Sequence, residues 1–185
     1  MPDHVAQIAL VPNAHTFREW ARMTRLRSPA STPALFFSWV IQKSIQVVTR
    51  SRTHHTVLGL PNGKCLSAEP GGARVRDQSD YPEAWWSEFA LLQTQIDHIV
   101  EWGEDHIGVP YGFFTDAAIA LSFMLHEKTP KWIDRYLNST SEYECAQLCD
   151  AAYQHVGIHL LRYSRGPAYP GAFEPLWIDA GWEPA

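Results

Sequence analysis

The stretch RTHHTVLGLPNGKCLSAEPGG, residues 52 to 72, decides the fold. From His54 to Leu60 it is rich in apolar and β-branched residues, which favours a strand. Pro61-Asn62-Gly63 follows at once, and Asn-Gly between two such runs is a strong signal of a tight hairpin turn. KCLSAE, residues 64 to 69, is then the returning strand, and Pro-Gly-Gly ends the hairpin. The sequence therefore predicts a small antiparallel sheet built around this hairpin.

Helices are predicted on both sides of the hairpin. Residues 81–105 form the clearest one, because apolar side chains recur at three- and four-residue steps and Gly103 follows as a stop. Residues 139–155 form another, with Ser141 and Glu144 spaced like a capping box at its start. The other predicted elements are helices at 13–27, 115–126 and 130–137, strands at 34–42 and 158–163, and an extended tail over the last twenty residues. Together they predict an α+β fold in which a small antiparallel sheet packs against helices.

The composition is that of a globular domain, with 45% apolar residues, 19% charged residues and a formal net charge of −5. The charge is uneven, since seven basic residues and one acid, Glu19, lie between Val11 and Thr53. We favour a solvated helix face over a nucleic-acid contact for this segment, because no recognition motif accompanies it. No apolar run has membrane-spanning length, and the N-terminal residues lack a signal-peptide layout. We therefore expect neither a membrane nor a nucleic-acid partner.

Three cysteines are too few for a disulfide framework, so we expect reduced thiols. Cys145 and Cys149 are one helical turn apart, but a structural zinc site needs a second pair of ligands that the sequence lacks. Their spacing also differs from the C-x-x-C of redox pairs. We therefore predict no metal and no cofactor. Cys149 is expected in the core, whereas Cys145 lies near the helix start, where backbone N–H groups and the helix dipole favour a thiolate.

A nucleophilic thiol needs an imidazole to take its proton, and the chain has nine histidines. His54 and His55 stand out because they open the first hairpin strand, and a strand end can hold a ring rigidly at the edge of a site. Strand alternation puts His55 with Val57 on one face and His54 with Thr56 on the other. Only one of the two rings is therefore expected to face the thiol, and each is otherwise an ordinary strand-edge histidine.

Three motifs in this order resemble the circularly permuted branch of the NlpC/P60 superfamily of papain-like thiol hydrolases, in which the histidine precedes the cysteine. They are the hairpin of residues 52–72, GVPYGF at 108–113 and YECAQLC at 143–149. The resemblance covers about residues 33 to 155. The chain departs from the family at Ala146, where a serine usually follows the cysteine.

The resemblance implies a division of the chain and a catalytic pair. A permuted papain-like domain would span 33–165, between an N-terminal helical extension (1–32) and a proline-rich C-terminal tail (166–185). The Asn-Gly register aligns the family's histidine on His55, and its aromatic-x-Cys motif aligns the nucleophile on Cys145.

The third polar residue of the family falls on Ser67, with an acid two positions further on at Glu69. The two share a strand face, so either could reach the imidazole. We favour Glu69, because a carboxylate orients an imidazole and stabilises imidazolium better than a hydroxyl does.

The activity implied by the resemblance is hydrolysis of an amide bond in a peptidoglycan stem peptide, a peptide or an isopeptide. The alternative is a catalytically weak or inactive scaffold with protein partners in an assembly such as a bacterial virus particle. The expected location is the cytoplasm or the virus particle. The aromatic side chains at Trp85, Trp86, Tyr111 and Phe113 either line a cleft or belong to the core.

Overall fold

The structure is a computed structural model, and it describes residues 3–12, 51–69, 72–110, 144–161 and 168–182. Over these ranges it is an α+β fold, as predicted, in which helices pack against an antiparallel sheet of five strands. Several predicted elements lie outside the described residues: the helices at 13–27, 115–126 and 130–137, and the strand at 34–42.

The strands are β1 (Ile8–Pro12), β2 (Thr53–Leu60), β3 (Lys64–Glu69), β4 (Gly72–Asp77) and β5 (Trp85–Trp86). Their order across the sheet is β4-β3-β2-β1-β5, so the hairpin strands β2 and β3 are both interior. All eight residues of β2 are buried, which is typical of a strand covered on both faces.

The β2–β3 hairpin is confirmed with the predicted bounds of its returning strand. Asn62 and Gly63 have positive φ angles of 60° and 65°, the geometry of a type I′ turn. The turn sets the register that pairs Val57 with Ser67 and Leu58 with Leu66. His55, Val57 and Ser67 therefore belong to one face of the sheet, and Thr56, Leu58 and Leu66 to the other.

Strand β1 was not predicted, because the sequence analysis assigned residues 1–32 to an extension whose helix, at 13–27, lies outside the described residues. Over the described residues 3–12, this segment instead contributes the strand between β2 and β5. Its approach to β2 depends on Gly59, where an added Cβ would lie 1.8 Å from the His4 carbonyl oxygen. The Gly59 N–H donates to the Gln7 carbonyl at 2.7 Å in the same close contact.

The described helices are α1 (Gln93–Asp105), α2 (Cys145–His155) and α3 (Glu174–Ala180). The helix predicted over 81–105 begins only at Gln93, because residues 85–86 pair with β1 and draw the preceding segment into the sheet. Helix α2 ends where it was predicted. The predicted strand at 158–163 is wrong over its described part, since residues 158–161 form no strand.

The C-terminal segment is a correction, because it was expected to be extended along the surface. Phe173 and Trp177 are instead completely buried in the main core, and Trp177 lies on α3. Glu174 holds the helix start against β2, since its Oε1 accepts from the backbone N–H groups of Arg52 and Thr53 and from the hydroxyls of Ser51 and Thr53. Large aromatic side chains outweighed the prolines here, because each buries a large apolar area.

Two hydrophobic clusters lie on the two faces of the sheet. The larger contains Leu58 and Leu66 together with the inward side of α2, and the smaller contains Val57, Cys65 and Tyr81. Helix α2 therefore covers the Leu58 face.

Candidate active site around Cys145 and His55

Cys145 is the first residue of α2, whereas the sequence predicted only that it lies near the helix start. The residue before it, Glu144, is the N-cap, and its Oε1 accepts from the Gln147 backbone N–H at 2.8 Å. The Gln147 side chain returns a bond to the Glu144 N–H at 3.4 Å, which completes a capping box. The box was expected at Ser141 and Glu144, so the true helix start lies three residues later than that pattern suggested.

The Cys145 thiol is buried and donates a hydrogen bond to Glu144. Its exposed fraction is 3%, and the Sγ–Oε2 distance is 3.3 Å. A carboxylate that accepts a hydrogen bond from a thiol favours thiol over thiolate, because deprotonation of the thiol would place two negative charges side by side. This effect opposes the helix dipole, which favours thiolate at the same position.

Helix α2 runs parallel to β2, which brings Cys145 level with the start of that strand. The Cys149 thiol lies near the Thr56 hydroxyl, and one turn later the Tyr153 hydroxyl donates to the Ala6 carbonyl at 2.7 Å. Ala6 in turn is bonded to Gly59 of β2. Cys145 lies one helical turn before Cys149, a distance of about two strand residues. Cys145 is therefore level with His54, two residues before Thr56 on β2.

The start of β2 is irregular at the two histidines. Val11 pairs with His55, but the next residue, Pro12, pairs with Thr53, so His54 is an extra residue opposite β1. A bulge of this kind locally disturbs the alternation of side chains. The two imidazole centroids are 6.3 Å apart and their planes are within 28° of parallel. The expectation that alternation separates the two rings is therefore not met, because the strand does not alternate regularly there.

His55 is the end of a buried hydrogen-bonded chain. Its Nε2 lies 2.7 Å from Ser67 Oγ, which donates to Glu69 Oε1 at 3.0 Å. Ser67 has a single hydroxyl proton. We assign that proton to the bond with the carboxylate, which makes Nε2 of His55 the donor in the first bond. That tautomer leaves Nδ1 as the unprotonated ring nitrogen, which is the form required of a base.

Glu69 is held from two further directions. Arg76 bonds to both of its carboxylate oxygens, through Nε at 2.9 Å and through a close Nη2 contact. The Tyr81 hydroxyl donates to this network, at 3.1 Å from Ser67 Oγ and 3.3 Å from Glu69 Oε1. Glu69 is therefore a buried ionic anchor, and Ser67 is the group in contact with the ring.

Burial sets the protonation states of the site. Desolvation, assisted by the positive charge of Arg76, lowers the pKa of His55 to about 4, so the ring is neutral at pH 7. Burial raises the pKa of Cys149 to about 12 and that of Cys65 further still. Neither of these two thiols supplies thiolate near neutral pH.

The structure brings His55, Ser67 and Glu69 together and corrects the expected order, because Ser67 rather than Glu69 contacts the imidazole. Cys145 belongs to the larger hydrophobic cluster, whereas the neighbours of His55 belong to the smaller one. The pairing of Cys145 with His55 stays a prediction. Tyr81 and Arg76 were not predicted: Tyr81 comes from an irregular segment with no pattern to mark it, and Arg76 lies on β4, which was not recognised as a strand.

Within the described ranges, no three His, Cys, Asp or Glu side chains are grouped so as to hold a metal ion. None of the helices in the described part of the chain is long and apolar enough to cross a membrane. No protein-family model matches the sequence, and no curated protein is significantly similar to it.

Proposed function

We propose that the protein is a cysteine hydrolase of permuted papain-like, NlpC/P60 type that cleaves an amide bond, with Cys145 as nucleophile and His55 as base. The observation that carries the proposal is the orientation of His55. Its Nε2 is tied to Ser67 and through it to Glu69, which reserves Nδ1 for a proton from the thiol. The parallel course of α2 and β2 brings the first turn of the helix level with the start of the strand, but α2 covers the Leu58 face whereas His55 lies with Val57 on the other, so the pairing requires the irregular start of β2 to turn the ring towards Cys145.

The chemistry follows from these groups. Sγ of Cys145 attacks the carbonyl carbon while its proton passes to Nδ1 of His55, and the carbonyl oxygen takes up the negative charge. Backbone N–H groups in the first helical turn stabilise that oxyanion. The C–N bond then breaks, the imidazolium gives its proton to the leaving amine, and a thioester remains. Water attacks the thioester with His55 again as base, and the released thiolate recovers its proton.

Both groups rest in the neutral form in this proposal. With a pKa near 4 the His55 ring is unprotonated at pH 7, but it is a weaker base than an ordinary imidazole, so substrate binding must favour transfer of the thiol proton to it. Glu144 competes for the same thiol proton, so the reaction requires the Cys145 hydrogen bond to turn from Glu144 to His55. The proposed substrates are peptidoglycan stem peptides, peptides or isopeptides, in the cytoplasm or in a virus particle.

The second candidate is a scaffold on the same fold that has little or no catalytic activity and serves an assembly. Two observations favour it. The Cys145 thiol donates a hydrogen bond to Glu144, and Cys145 and the neighbours of His55 belong to separate hydrophobic clusters.

The experiment that separates the two is alkylation of the folded protein by iodoacetamide at pH 6, with the modified residue located by peptide mass. An unassisted thiol is less than about 1% thiolate at that pH. The hydrolase predicts that Cys145 is labelled first, and that His55→Gln slows this labelling at least about tenfold. His98→Gln, which changes an exposed histidine on α1, is the matched control and should have no effect.

Turnover provides the second measurement. The wild type should release coumarin from a panel of peptidyl-aminomethylcoumarin substrates, and Cys145→Ala should not, whereas Cys149→Ala should retain activity. Equally slow labelling of Cys65, Cys145 and Cys149, indifferent to His55, together with no turnover, would replace the hydrolase by the scaffold.

A further inference from the structure

An open cavity of about 580 Å³ lies at the edge of the sheet, where the short strand β5 ends. It is lined by Pro12, Pro82, Glu83, Ala84, Trp85, Trp86, Glu88 and Trp182. None of these residues takes part in the His55–Ser67–Glu69 chain or in the helix start at Cys145. The cavity is therefore a separate feature, and its walls combine three indole rings with two carboxylates.

The cavity is electronegative. Glu83 and Glu88 are exposed, and the described residues that line it include no basic side chain, although Arg52 lies beside it over Trp85. His4 stacks on Trp86 with ring centroids 4.7 Å apart, and the negative charge of Glu88 acts on the His4 ring. Burial lowers the pKa of His4, and the negative charges of Asp3 and Glu88 act against that shift. A group bound here lies in a field that favours positive charge.

The indole rings, like the carboxylates, attract a cation. The electron-rich face of tryptophan attracts ammonium and guanidinium groups more strongly than that of any other side chain. One such contact already exists beside the cavity, where the Arg52 guanidinium carbon lies 5.2 Å from the centroid of Trp85. Trp85 therefore has a face that accepts a cation in this fold.

We propose that this cavity binds a cationic side chain of a polypeptide, an ammonium or guanidinium group on an alkyl stem. The charge lies towards Glu83 and Glu88, and the stem packs on the indoles, since long basic side chains bury their methylene groups while the charged end stays solvated. Such a ligand would contact both the indole rings and the carboxylates. A neutral apolar ligand would contact only the indoles, and the carboxylates would repel an anion.

The location gives this binding a role in the proposed reaction, and this step rests on the proposed function. Pro12 in the cavity wall pairs with Thr53, two residues before His55. A polypeptide whose basic side chain occupies the cavity would pass the start of β2. The cavity would thus select amide substrates that carry a basic residue near the bond to be cleaved.

The test uses the full chain with Cys145→Ala, so that binding is measured without turnover. Nα-acetyl-lysine methylamide is titrated into the protein and followed by the indole N–H signals in NMR, with Nα-acetyl-norleucine methylamide as the uncharged match. We expect the lysine compound to bind at least about tenfold more tightly, to shift the Trp85 and Trp86 signals, and to weaken with added salt.

Two double variants of equal charge change distinguish the site from overall attraction. Glu83→Gln with Glu88→Gln should weaken binding of the lysine compound at least about tenfold. Glu101→Gln with Glu104→Gln, exposed on α1, should leave it unchanged. Equal binding of norleucine, equal loss in both variants, or binding of a chitin oligosaccharide in place of the lysine compound would each overturn the proposal. Lysine binding in a protein without thiol reactivity would keep the site and remove only the hydrolase.

Discussion

The Ser67 hydroxyl lies between His55 and Glu69, 2.7 Å from the ring nitrogen Nε2 and 3.0 Å from the carboxylate. The Ser67 hydroxyl links the buried Glu69–Arg76 ion pair to the His55 ring and thereby holds the ring in one orientation. The carboxylate is bonded to Arg76, and the imidazole contacts Ser67 rather than the carboxylate. The relay therefore fixes the tautomer of His55 without making the ring an imidazolium, which agrees with its lowered pKa.

Replacing Ser67 by alanine should destabilise the protein by about 1–3 kcal/mol, because a buried ring N–H loses its acceptor and Glu69 loses a donor. Urea unfolding measures this loss, with exposed Ser79→Ala as the control that should change the free energy of unfolding by less than about 0.5 kcal/mol. In the hydrolase, Ser67→Ala should also lower kcat more than it raises KM. A neutral effect on stability would mean that the relay is not satisfied in solution as it is here.

The lowered pKa of His55 predicts acid sensitivity. Unfolded His55 has a pKa near 6.5 and folded His55 a pKa near 4, so below pH 6.5 the unfolded state binds the proton that the folded state refuses. This contribution is fully present above about pH 6.5 and is lost as the pH falls to about 4, a total of about 3 kcal/mol. Unfolding free energies measured from pH 7.5 to 4 should show the fall, and His55→Gln should remove most of it. His98→Gln should keep the wild-type slope.

The sequence predicts those elements of the fold that local patterns specify, and not those that form only through contacts between distant residues. The β2–β3 hairpin and the end of α2 were accessible, because Asn-Gly turns and helical periodicity are local. Strand β1 was not, since five residues at one end of the chain become a strand only through pairing with β2 and β5. The burial of Trp177 was not predicted either. The prolines of the tail suggested an extended backbone, but they carry no information on what its aromatic side chains pack against.

The site shows the same division. Cysteine and histidine were found by type and position, and His55 was chosen by turn register. The bulge that gives β2 an extra residue at His54 depends on the β1 pairing, so strict alternation could not describe the two rings. The choice between Ser67 and Glu69 needed distances, because both share a strand face and differ only in which atom reaches the ring.

The C-terminal helix should behave as part of the core. Trp177 is fully buried and its indole N–H donates to the Trp85 carbonyl at 2.7 Å, so Trp177→Ala should cost about 3–5 kcal/mol. Ile178 follows it on the same helix but is 48% exposed, so Ile178→Ala should cost less than about 1 kcal/mol. Thermal and urea unfolding of both variants checks the difference. Similar small losses would show that the segment does not contribute to the cooperative fold.

Glu144 should lower the reactivity of the Cys145 thiol. Its Oε2 accepts a hydrogen bond from the thiol while its Oε1 caps the helix, so Glu144→Gln removes the negative charge and keeps an oxygen that can cap. Iodoacetamide labelling of Cys145 at pH 6 to 7 should then be at least about fivefold faster, because the thiolate no longer forms beside a carboxylate. Gln147→Ala, which loosens the same cap without changing charge, is the control for helix fraying and should give a smaller increase. Slower labelling in Glu144→Gln than in the wild type would instead identify Glu144 as a group that helps to remove the thiol proton.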